Sequence, residues 1–248
     1  MQNLIQNVKN LVAQIVPAKW FIHIRAWRFQ RIGEPESRWL GKLVDPGKAA
    51  YDIGANLGIY TCLLKRHAKE VHAWEPNPTL QLGLEATFGD TIHLHKHGLS
   101  NQPGTAKLSF PKVDGTVYHG WGSIEHDFAG EDKVFTHDIQ LKTLDSQELP
   151  TAGFVKIDVE GHELQVLQGA MKTLERDQPW LLVEVEERHA GERCQETLRL
   201  LASLGYTPCY LGDNGFAPVA QNDKGDYLLD AGQFQVLFQP QGKPLPTP

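Results

Sequence analysis

The sequence is poor in cysteine. Its 248 residues include three, which are far apart and never at Cys-x-x-Cys spacing: Cys62, Cys194 and Cys209. An odd number of widely separated cysteines argues against a disulfide framework and against a zinc site. We therefore expect a protein of the reducing cytoplasm.

A long apolar run is also missing. The chain contains no stretch of about 18 apolar residues, which a membrane-spanning helix requires. The first residues lack the charged start, apolar block and small-residue cleavage site of a signal peptide. We expect neither a transmembrane segment nor export from the cell.

Positive charge is scarce over most of the chain. The 24 Lys and Arg residues are outnumbered by 30 Asp and Glu residues, and the formal net charge is −6. Such a chain has no overall field that attracts a polyanion, so we expect no nucleic-acid partner. The basic residues concentrate at the N-terminus, where residues 1–45 hold seven Lys or Arg against three Asp or Glu.

This N-terminal region predicts a helical extension over residues 1–45. Apolar residues recur at helical spacing over residues 4–16, and Pro17 stops the pattern. Aromatic and basic residues are then interleaved over residues 19–31. Residues 1–31 could make weak contact with an anionic membrane surface, or the extension could pack as a cap on the main domain or on a second copy in a homo-oligomer.

The chain does contain a glycine-punctuated turn, Asp52-Ile53-Gly54-Ala55-Asn56-Leu57-Gly58. An apolar run enters this turn and a helix-like run leaves it, which is typical of the first strand-turn-helix unit of a nucleotide-binding α/β sheet. A dinucleotide fingerprint has a middle glycine where this chain has Asn56, and no Gly-Lys-Ser/Thr follows. Neither a dehydrogenase nor a P-loop enzyme is favoured.

An acidic residue follows the next predicted strand, which covers residues 70–74. Glu75 begins the segment Glu75-Pro76-Asn77-Pro78 and lies 17 positions beyond Gly58. An acidic side chain at this place in such a sheet accepts hydrogen bonds from both hydroxyls of a ribose. The spacing therefore indicates an adenosine-type ligand, although a surface glutamate before a proline turn would show the same local pattern.

Strands and helices alternate through most of the remaining chain. Further strands are predicted over residues 91–95, 154–158, 180–185, 206–211 and 234–238, with one helix over residues 163–174 and another over residues 192–204. Two strand patterns, 105–110 and 134–141, have no helix between them, which indicates a β insertion over about 104–142. We expect one α/β domain over residues 46–240 and a loose tail over residues 241–248.

Together with the block Lys156-Ile157-Asp158-Val159-Glu160-Gly161-His162-Glu163, these motifs resemble the FkbM-type S-adenosylmethionine-dependent methyltransferases. The resemblance runs from about residue 34 to residue 184. It implies a Rossmann-like class I methyltransferase fold, with a mostly parallel seven-stranded sheet and helices on both faces. It also implies S-adenosylmethionine as methyl donor and a hydroxyl acceptor on a sugar, a glycan or a polyketide-like metabolite. A nitrogen acceptor on a peptide or small molecule is the alternative, as is a non-catalytic donor-binding subunit.

The resemblance implies that the first turn and the Glu75 segment hold the donor. The predicted donor-binding residues are Asp52, Gly54, Asn56, Gly58, Glu75 and Asn77. Two positions depart from the family pattern. Trp74 stands where phenylalanine commonly precedes the Glu-Pro pair, and Gly98 stands where alanine commonly precedes Leu-Ser.

The acceptor hydroxyl needs a group that removes its proton, and the predicted catalytic residues are Asp158, Glu160 and His162. Asp158 ends a central strand, at the sheet edge where ligands bind. Strand alternation puts Lys156, Asp158 and Glu160 on one side if the strand continues that far. We expect Asp158 and His162 to share the general-base and orienting roles, with Glu160 contacting the acceptor or the base. At the start of the following helix, Glu163 is expected to act as a cap.

Other polar residues have simpler explanations. His93, His95 and His97 alternate along one strand and would share a face, but we expect ordinary packing and no metal site. The insertion carries aromatic and histidine side chains that could line an acceptor pocket or form the core of a lid: Tyr118, His119, Trp121, His126 and His137. Glu184 and Glu186 could bound the acceptor site or simply face solvent.

Overall fold

The architecture comes from a computed structural model, which describes residues 18–113, 116–117, 122–125, 135–185, 193–229 and 235–247. The helix predicted over residues 4–16 lies outside these ranges. So do several residues that the sequence singled out: Tyr118, His119, Trp121, His126 and Glu186.

The secondary structure alternates as predicted along much of the chain. The strands are β1 Ala49–Ile53, β2 Glu70–Trp74, β3 His93–His95, β4 Gly98–Leu99, β5 Gly104–Phe110, β6 Lys112–Val113, β7 Thr116–Val117, β8 Phe135–Lys142, β9 Ala152–Ile157, β10 Trp180–Glu184, β11 Thr207–Gly212, β12 Gly215–Pro218 and β13 Gln235–Gln239. The helices are α1 Ala18–Ile32, α2 Leu40–Leu43, α3 Ile59–Leu64, α4 Pro78–Phe88, α5 Glu163–Gln168, α6 Met171–Asp177 and α7 Arg193–Ser203.

The main sheet has the order β12-β11-β13-β10-β9-β1-β2-β3. Strands β3, β2, β1, β9 and β10 run parallel to one another. Strand β13 pairs antiparallel with both β10 and β11, and β12 pairs antiparallel with β11. The Rossmann-like methyltransferase fold is therefore confirmed. The eighth strand, β12, adds a hairpin to the seven predicted strands, and its turn lies between Gly212 and Gly215.

Helices cover both faces of this sheet, because successive residues of its strands point to opposite sides. In β1, Ala50 packs with buried side chains of α1, α3 and α4. The alternate residues Tyr51 and Ile53 of the same strand pack with buried side chains of α5, α6 and α7. The buried face of α1 includes Ile22 and Ala26, so this part of the N-terminal extension packs on the main domain.

The β insertion forms a small sheet of its own. Strand β8 lies between β4 and β5 and pairs antiparallel with β5 along its length, while β6 and β7 form a short hairpin. Its apolar cluster is built on Leu108, Phe110 and Ile139. Between β7 and β8 the structure describes residues 122–125, where Ser123 forms a bridge with Ser109 of β5.

One predicted helix is divided. Residues 163–174 were expected to form a single helix, but α5 ends at Gln168 and α6 begins at Met171. A Cβ at Gly169 would lie 2.0 Å from the Ser100 carbonyl oxygen, so the backbones touch at the break. Helical periodicity carries no information on such a distant contact, which explains the error.

The C-terminal tail, expected to be loose, makes specific contacts. Lys243 Nζ donates to the Gln178 carbonyl oxygen at 2.8 Å, and Lys42 Nζ donates to the Thr247 carbonyl oxygen. Leu245 packs against the core. Among the helices of the described ranges, none combines the length and the apolar composition needed to cross a bilayer.

Candidate active site

The turn between β1 and α3 has the unusual backbone geometry that its sequence predicts. Gly54, Asn56 and Gly58 have φ values of 84°, 51° and 80°, in the left-handed region that glycine and asparagine tolerate best. A Cβ at Gly54 would lie 1.8 Å from the carbonyl oxygen of Asp158. Glycine is therefore required where the turn passes against the end of β9.

Glu75 lies at the end of β2 and is fixed by two backbone donors. Its Oε2 accepts from the Asn56 N–H and its Oε1 from the Asn77 N–H, both at 2.8 Å. The side chain is buried, and this burial raises the pKa of its carboxyl to about 7 even though the two hydrogen bonds favour the charged form. The Asn77 side chain has a local task, because it caps α4 by accepting from the Thr79 N–H.

A first cavity of about 660 Å³ opens beside Glu75 at the carboxyl edge of the sheet. Its polar end includes Asn56 and Glu75, and its apolar wall includes Leu99, Phe110 and Ile124. The insertion therefore supplies part of the wall.

Trp74 also lines the first cavity. Its indole is buried, and within the described ranges its Nε1–H has no hydrogen-bond acceptor. An unsatisfied buried donor is costly unless a ligand supplies the acceptor. Trp74, one of the two positions that depart from the FkbM-type pattern, is thus a candidate ligand contact.

A second cavity of about 590 Å³ lies on the other face of the sheet, under α1 and α3. It shares Gly54, Asn56 and Asp158 with the first cavity, so the two meet at the end of β9. Its other charged residues are Glu34, Asp52 and Lys156. Of the predicted donor-binding residues, Asp52 therefore faces this second cavity and not the first.

Asp52 is buried and accepts a hydrogen bond from the Thr61 hydroxyl. Its burial raises the pKa of the carboxyl to about 6. Glu34 comes from the segment after α1 and accepts a hydrogen bond of 2.5 Å from the Tyr60 hydroxyl. Sequence reasoning missed Glu34 and Tyr60 as site residues, because each reaches the cavity only through the packing of α1 and α3 on the sheet.

Asp158 follows β9 and is held by Lys156. The distance from Lys156 Nζ to Asp158 Oδ2 is 3.2 Å, and Nζ also lies 5.0 Å from the centre of the Tyr60 ring. Burial alone would lower the pKa of Lys156, but the surrounding carboxylates, Asp158 first among them, raise it. Lys156 is therefore a fixed cation that favours the ionised form of Asp158.

Glu184 ends β10 beside Asp158. Its burial, followed by the charge of Asp158 and a hydrogen bond between the two side chains, raises the pKa of Glu184 far above its usual range. Two adjacent carboxyls that repel each other keep one proton at neutral pH. We assign this proton to Glu184, because its own burial is the largest of the causes that raise its pKa.

Glu160 does not lie on the strand. Strand β9 ends at Ile157, and Glu160 adopts a φ of 54° in the turn that follows. The expected alternation of Lys156, Asp158 and Glu160 therefore stops at Asp158. The Glu160 carbonyl oxygen accepts from the Ser123 hydroxyl at 2.8 Å, and the residue lines the first cavity with Asp158 and His162.

His162 is buried with both ring nitrogens engaged. Nδ1 lies 2.6 Å from Glu125 Oε1, and Nε2 lies 3.0 Å from the Ser100 hydroxyl oxygen. Burial lowers the pKa of His162, so the ring is neutral, with Nδ1–H donating to Glu125 and Nε2 accepting from Ser100. Arg193 donates to the other oxygen of Glu125 at 2.7 Å. The sequence pointed to His162 but not to Glu125 or Arg193.

Glu163 is buried at the start of α5 and closes the turn that carries these residues. Its Oε1 accepts from the Val159 N–H at 3.0 Å and the Gly161 N–H at 3.2 Å. The carboxylate thus satisfies backbone donors just before its helix, which is close to the capping role predicted for it.

Comparison with known proteins identifies the family to which this fold belongs. The family model described as the methyltransferase FkbM domain matches residues 52–208. The matched region is more than half of the chain and contains Glu75, Asp158 and His162. The chain therefore belongs to the FkbM methyltransferase family, and it is a methyltransferase.

Among the relatives, the hexuronic acid methyltransferase AglP of Haloferax volcanii is 30% identical over 182 residues, which is 71% of each chain. The crystal structure of an FkbM methyltransferase from Methylobacillus flagellatus aligns over 92% of this chain with 16% identity and a TM-score of 0.48; the alignment spans 59% of that longer chain. A putative methyltransferase from Streptococcus mutans, solved in complex with SAH, aligns over 83% of this chain and 96% of its own, with 14% identity and a TM-score of 0.46.

Proposed function

We propose that the protein transfers a methyl group from S-adenosylmethionine to a hydroxyl group of a saccharide or a polyketide-like metabolite. The observation that carries this proposal is the junction of the two cavities. The first cavity, which has the fixed carboxylate of Glu75 at its polar end, meets the acidic second cavity at Asp158. Two reactants bound on the two sides would face each other at that residue.

The residues of the first cavity fit the donor. Glu75 offers carboxylate oxygens in a fixed orientation to the ribose hydroxyls, and each oxygen keeps a lone pair beyond its backbone hydrogen bond. Leu99, Phe110 and Ile124 offer an apolar wall to the adenine ring. The unsatisfied N–H of Trp74 offers one further polar contact. When bound, the donor supplies an electrophilic methyl group on a sulfonium centre.

Asp158 is the proposed general base. Its side chain is 32% exposed, so the acceptor can reach it, and Lys156 holds it ionised and oriented. A base that takes the hydroxyl proton as the methyl group is transferred typically contributes a factor of about 10²–10⁴ to the rate. Glu184, as the protonated partner, donates to Asp158 and keeps it in place.

For His162 we propose the orienting role and not that of the base. Its Nε2 lone pair already accepts from Ser100, and its Nδ1–H is directed at Glu125. Together these contacts join the segment after β4, the insertion and the turn after β9. His162 therefore shapes the wall of the first cavity without removing a proton from the acceptor.

The second cavity supports an acceptor rich in hydroxyl groups. Glu34, Asp52 and Asp158 place carboxyl groups around it, and carboxylates accept hydrogen bonds from hydroxyls. The related AglP carries the name of a hexuronic acid methyltransferase, which supports a sugar as the acceptor class. These three acidic groups, which face the cation Lys156, would repel a negatively charged uronate. We therefore propose that the acceptor of this chain is a neutral sugar and not a free uronate.

The proposal is tested by following transfer of a labelled methyl group to a panel of neutral glycosides, uronates and amines. Product on a neutral glycoside would support the proposal if it is lost in Asp158→Asn and retained in the control Glu148→Gln, which alters an exposed carboxylate outside both cavities. Exclusive methylation of amines would favour a nitrogen acceptor, and exclusive methylation of uronates would contradict the charge argument.

We also propose that α1 contacts an anionic membrane surface. Trp20, Ile24 and Trp27 are 61%, 52% and 53% exposed and recur at helical spacing, so they form one apolar stripe. The same helix carries Arg25, whose guanidinium lies over the Phe21 ring, and a second arginine stacked on Trp27. Exposed tryptophans flanked by arginines suit the boundary between lipid headgroups and acyl chains.

A further inference from the structure

A cluster of metal-ligating side chains lies at the edge of the sheet opposite the two cavities. Glu70 begins β2 and His93 begins β3, whereas the cavities open where the strands end. In the pairing of these strands, His72 is directly opposite His93. Three side chains that can bind a metal therefore converge from two neighbouring strands.

The distances between the ligand atoms are those of a small tetrahedral site. Glu70 Oε2 lies 3.3 Å from His93 Nε2 and 3.7 Å from His72 Nε2, and the ligand atoms of all three residues lie within 4.8 Å of one another. Tetrahedral zinc with bonds of about 2.0–2.1 Å holds its ligand atoms roughly 3.3 Å apart. Small rotations of exposed side chains would close the remaining difference.

The surroundings of His72 favour metal binding through its Nε2. The residue is 6% exposed, and its Nε2 has no hydrogen-bond partner among the described residues. Its other nitrogen, Nδ1, lies 3.1 Å from His95 Nε2. When Nδ1–H donates to His95, the lone pair of His72 Nε2 is directed to the cluster, which is the usual arrangement of a metal-binding histidine with a supporting partner.

The cluster is also accessible. The His93 side chain is 57% exposed and that of Glu70 is 31% exposed, so an ion can enter and water can complete its coordination. His93 and His72 are stacked with ring centroids 4.4 Å apart, and the exposed His93 ring can turn toward a shared ion.

We propose that Glu70, His72 and His93 bind a divalent transition metal, with zinc the best match to two imidazoles and one carboxylate. The ion would fasten the edge strand β3 to β2. Since the cluster is at the far edge of the sheet from Glu75 and Asp158, its role is structural. This differs from the site considered in the sequence, where His93, His95 and His97 would have had to share an ion.

The test uses Co²⁺ as a spectroscopic probe on the full chain, freed of any affinity tag and treated with a chelator. Wild-type protein is expected to bind one Co²⁺, with the intense visible absorption of a low-coordinate site, and Zn²⁺ should displace it. Zn²⁺ at about 100 times its Kd should raise Tm by roughly 5 °C, because it binds the folded chain. Basal methyl transfer should be unchanged.

His93→Asn and Glu70→Gln should each weaken Co²⁺ binding at least about tenfold, whereas the control His67→Asn, a half-buried histidine outside the cluster, should not. Both altered residues are partly exposed, so the variants are expected to fold, which their thermal melts will show. Absence of Co²⁺ binding at 100-fold molar excess would overturn the proposal. So would equal binding by wild type and His93→Asn.

Discussion

The backbone N–H of Asn56 donates a hydrogen bond of 2.8 Å to Glu75 Oε2, which joins the turn after β1 to the turn after β2. The second carboxylate oxygen is held in the same way by the Asn77 N–H. Glu75 is therefore oriented by the backbone before any ligand binds. A carboxylate fixed in this way loses little conformational entropy when it contacts a ribose.

The first prediction concerns Asp158. Asp158→Asn removes the proposed base and keeps the side-chain size, so kcat should fall by about 10²–10⁴. Donor affinity should change less than about threefold. Single-turnover methyl transfer and calorimetry with S-adenosylhomocysteine measure the two quantities separately. Unimpaired turnover of this variant would remove Asp158 from the chemical step.

The second prediction separates an orienting His162 from a catalytic one. Glu125→Gln weakens the contact that fixes the ring, so both Glu125→Gln and His162→Asn should reduce donor affinity and raise KM. The pH profile of the remaining kcat should keep the shape seen in wild type, because Asp158 is intact. Loss of turnover in His162→Asn with unchanged donor affinity would instead identify His162 as the base.

The third prediction compares two glycines. Gly54→Ala should destabilise the protein by about 3 kcal/mol or more, since the new Cβ would meet the Asp158 carbonyl oxygen and the backbone has a φ of 84°. Gly83→Ala in α4 should stabilise it by about 0.5–1 kcal/mol, because nothing lies within 4 Å of the added Cβ. Chemical denaturation measures both, and a neutral Gly54→Ala would contradict the described turn.

The fourth prediction tests α1 on membranes. The full chain should sediment with vesicles that contain phosphatidylserine and not with pure phosphatidylcholine, and binding should weaken as salt is raised. Replacing Trp20 and Trp27 with serine should abolish binding, whereas Leu228→Ser, which alters another exposed apolar residue, should not. Equal sedimentation of the double variant and the control would exclude the proposed surface.

The sequence was sufficient where the structural requirement is local. The turn from Asp52 to Gly58 has the positive φ values that its glycines and asparagine predict, and Glu75 follows its strand at the expected place. The alternating pattern also located the parallel strands within a few residues. These features depend on backbone conformation and on side-chain periodicity, both of which are visible in one sequence.

Contacts between residues that are far apart in the sequence could not be predicted from these local patterns. His162 is paired with Ser100 and Glu125, which lie 62 and 37 positions away. The break at Gly169 depends on its contact with Ser100, and the placement of Asp52 in the second cavity depends on how α1 and α3 pack. Local patterns carry no information on such distant neighbours. The sequence therefore identified the candidate residues, but not their hydrogen-bond partners and not which of them acts as the base.

The central claim, a donor held by Glu75 in the first cavity, is tested most directly by calorimetry with S-adenosylhomocysteine at pH 8 and pH 6. Burial raises the pKa of Glu75 to about 7, so the carboxylate that accepts the ribose hydroxyls is present above this pH and lost below it. Wild-type affinity should therefore fall by about tenfold from pH 8 to pH 6.

At pH 8, Glu75→Gln should bind about 10 to 100 times more weakly than wild type and show no such pH dependence, because a charge-assisted hydrogen bond is lost. The control Glu85→Gln, an exposed carboxylate paired with Lys96, should behave as wild type. Equal affinity of wild type and Glu75→Gln at pH 8 would contradict the account.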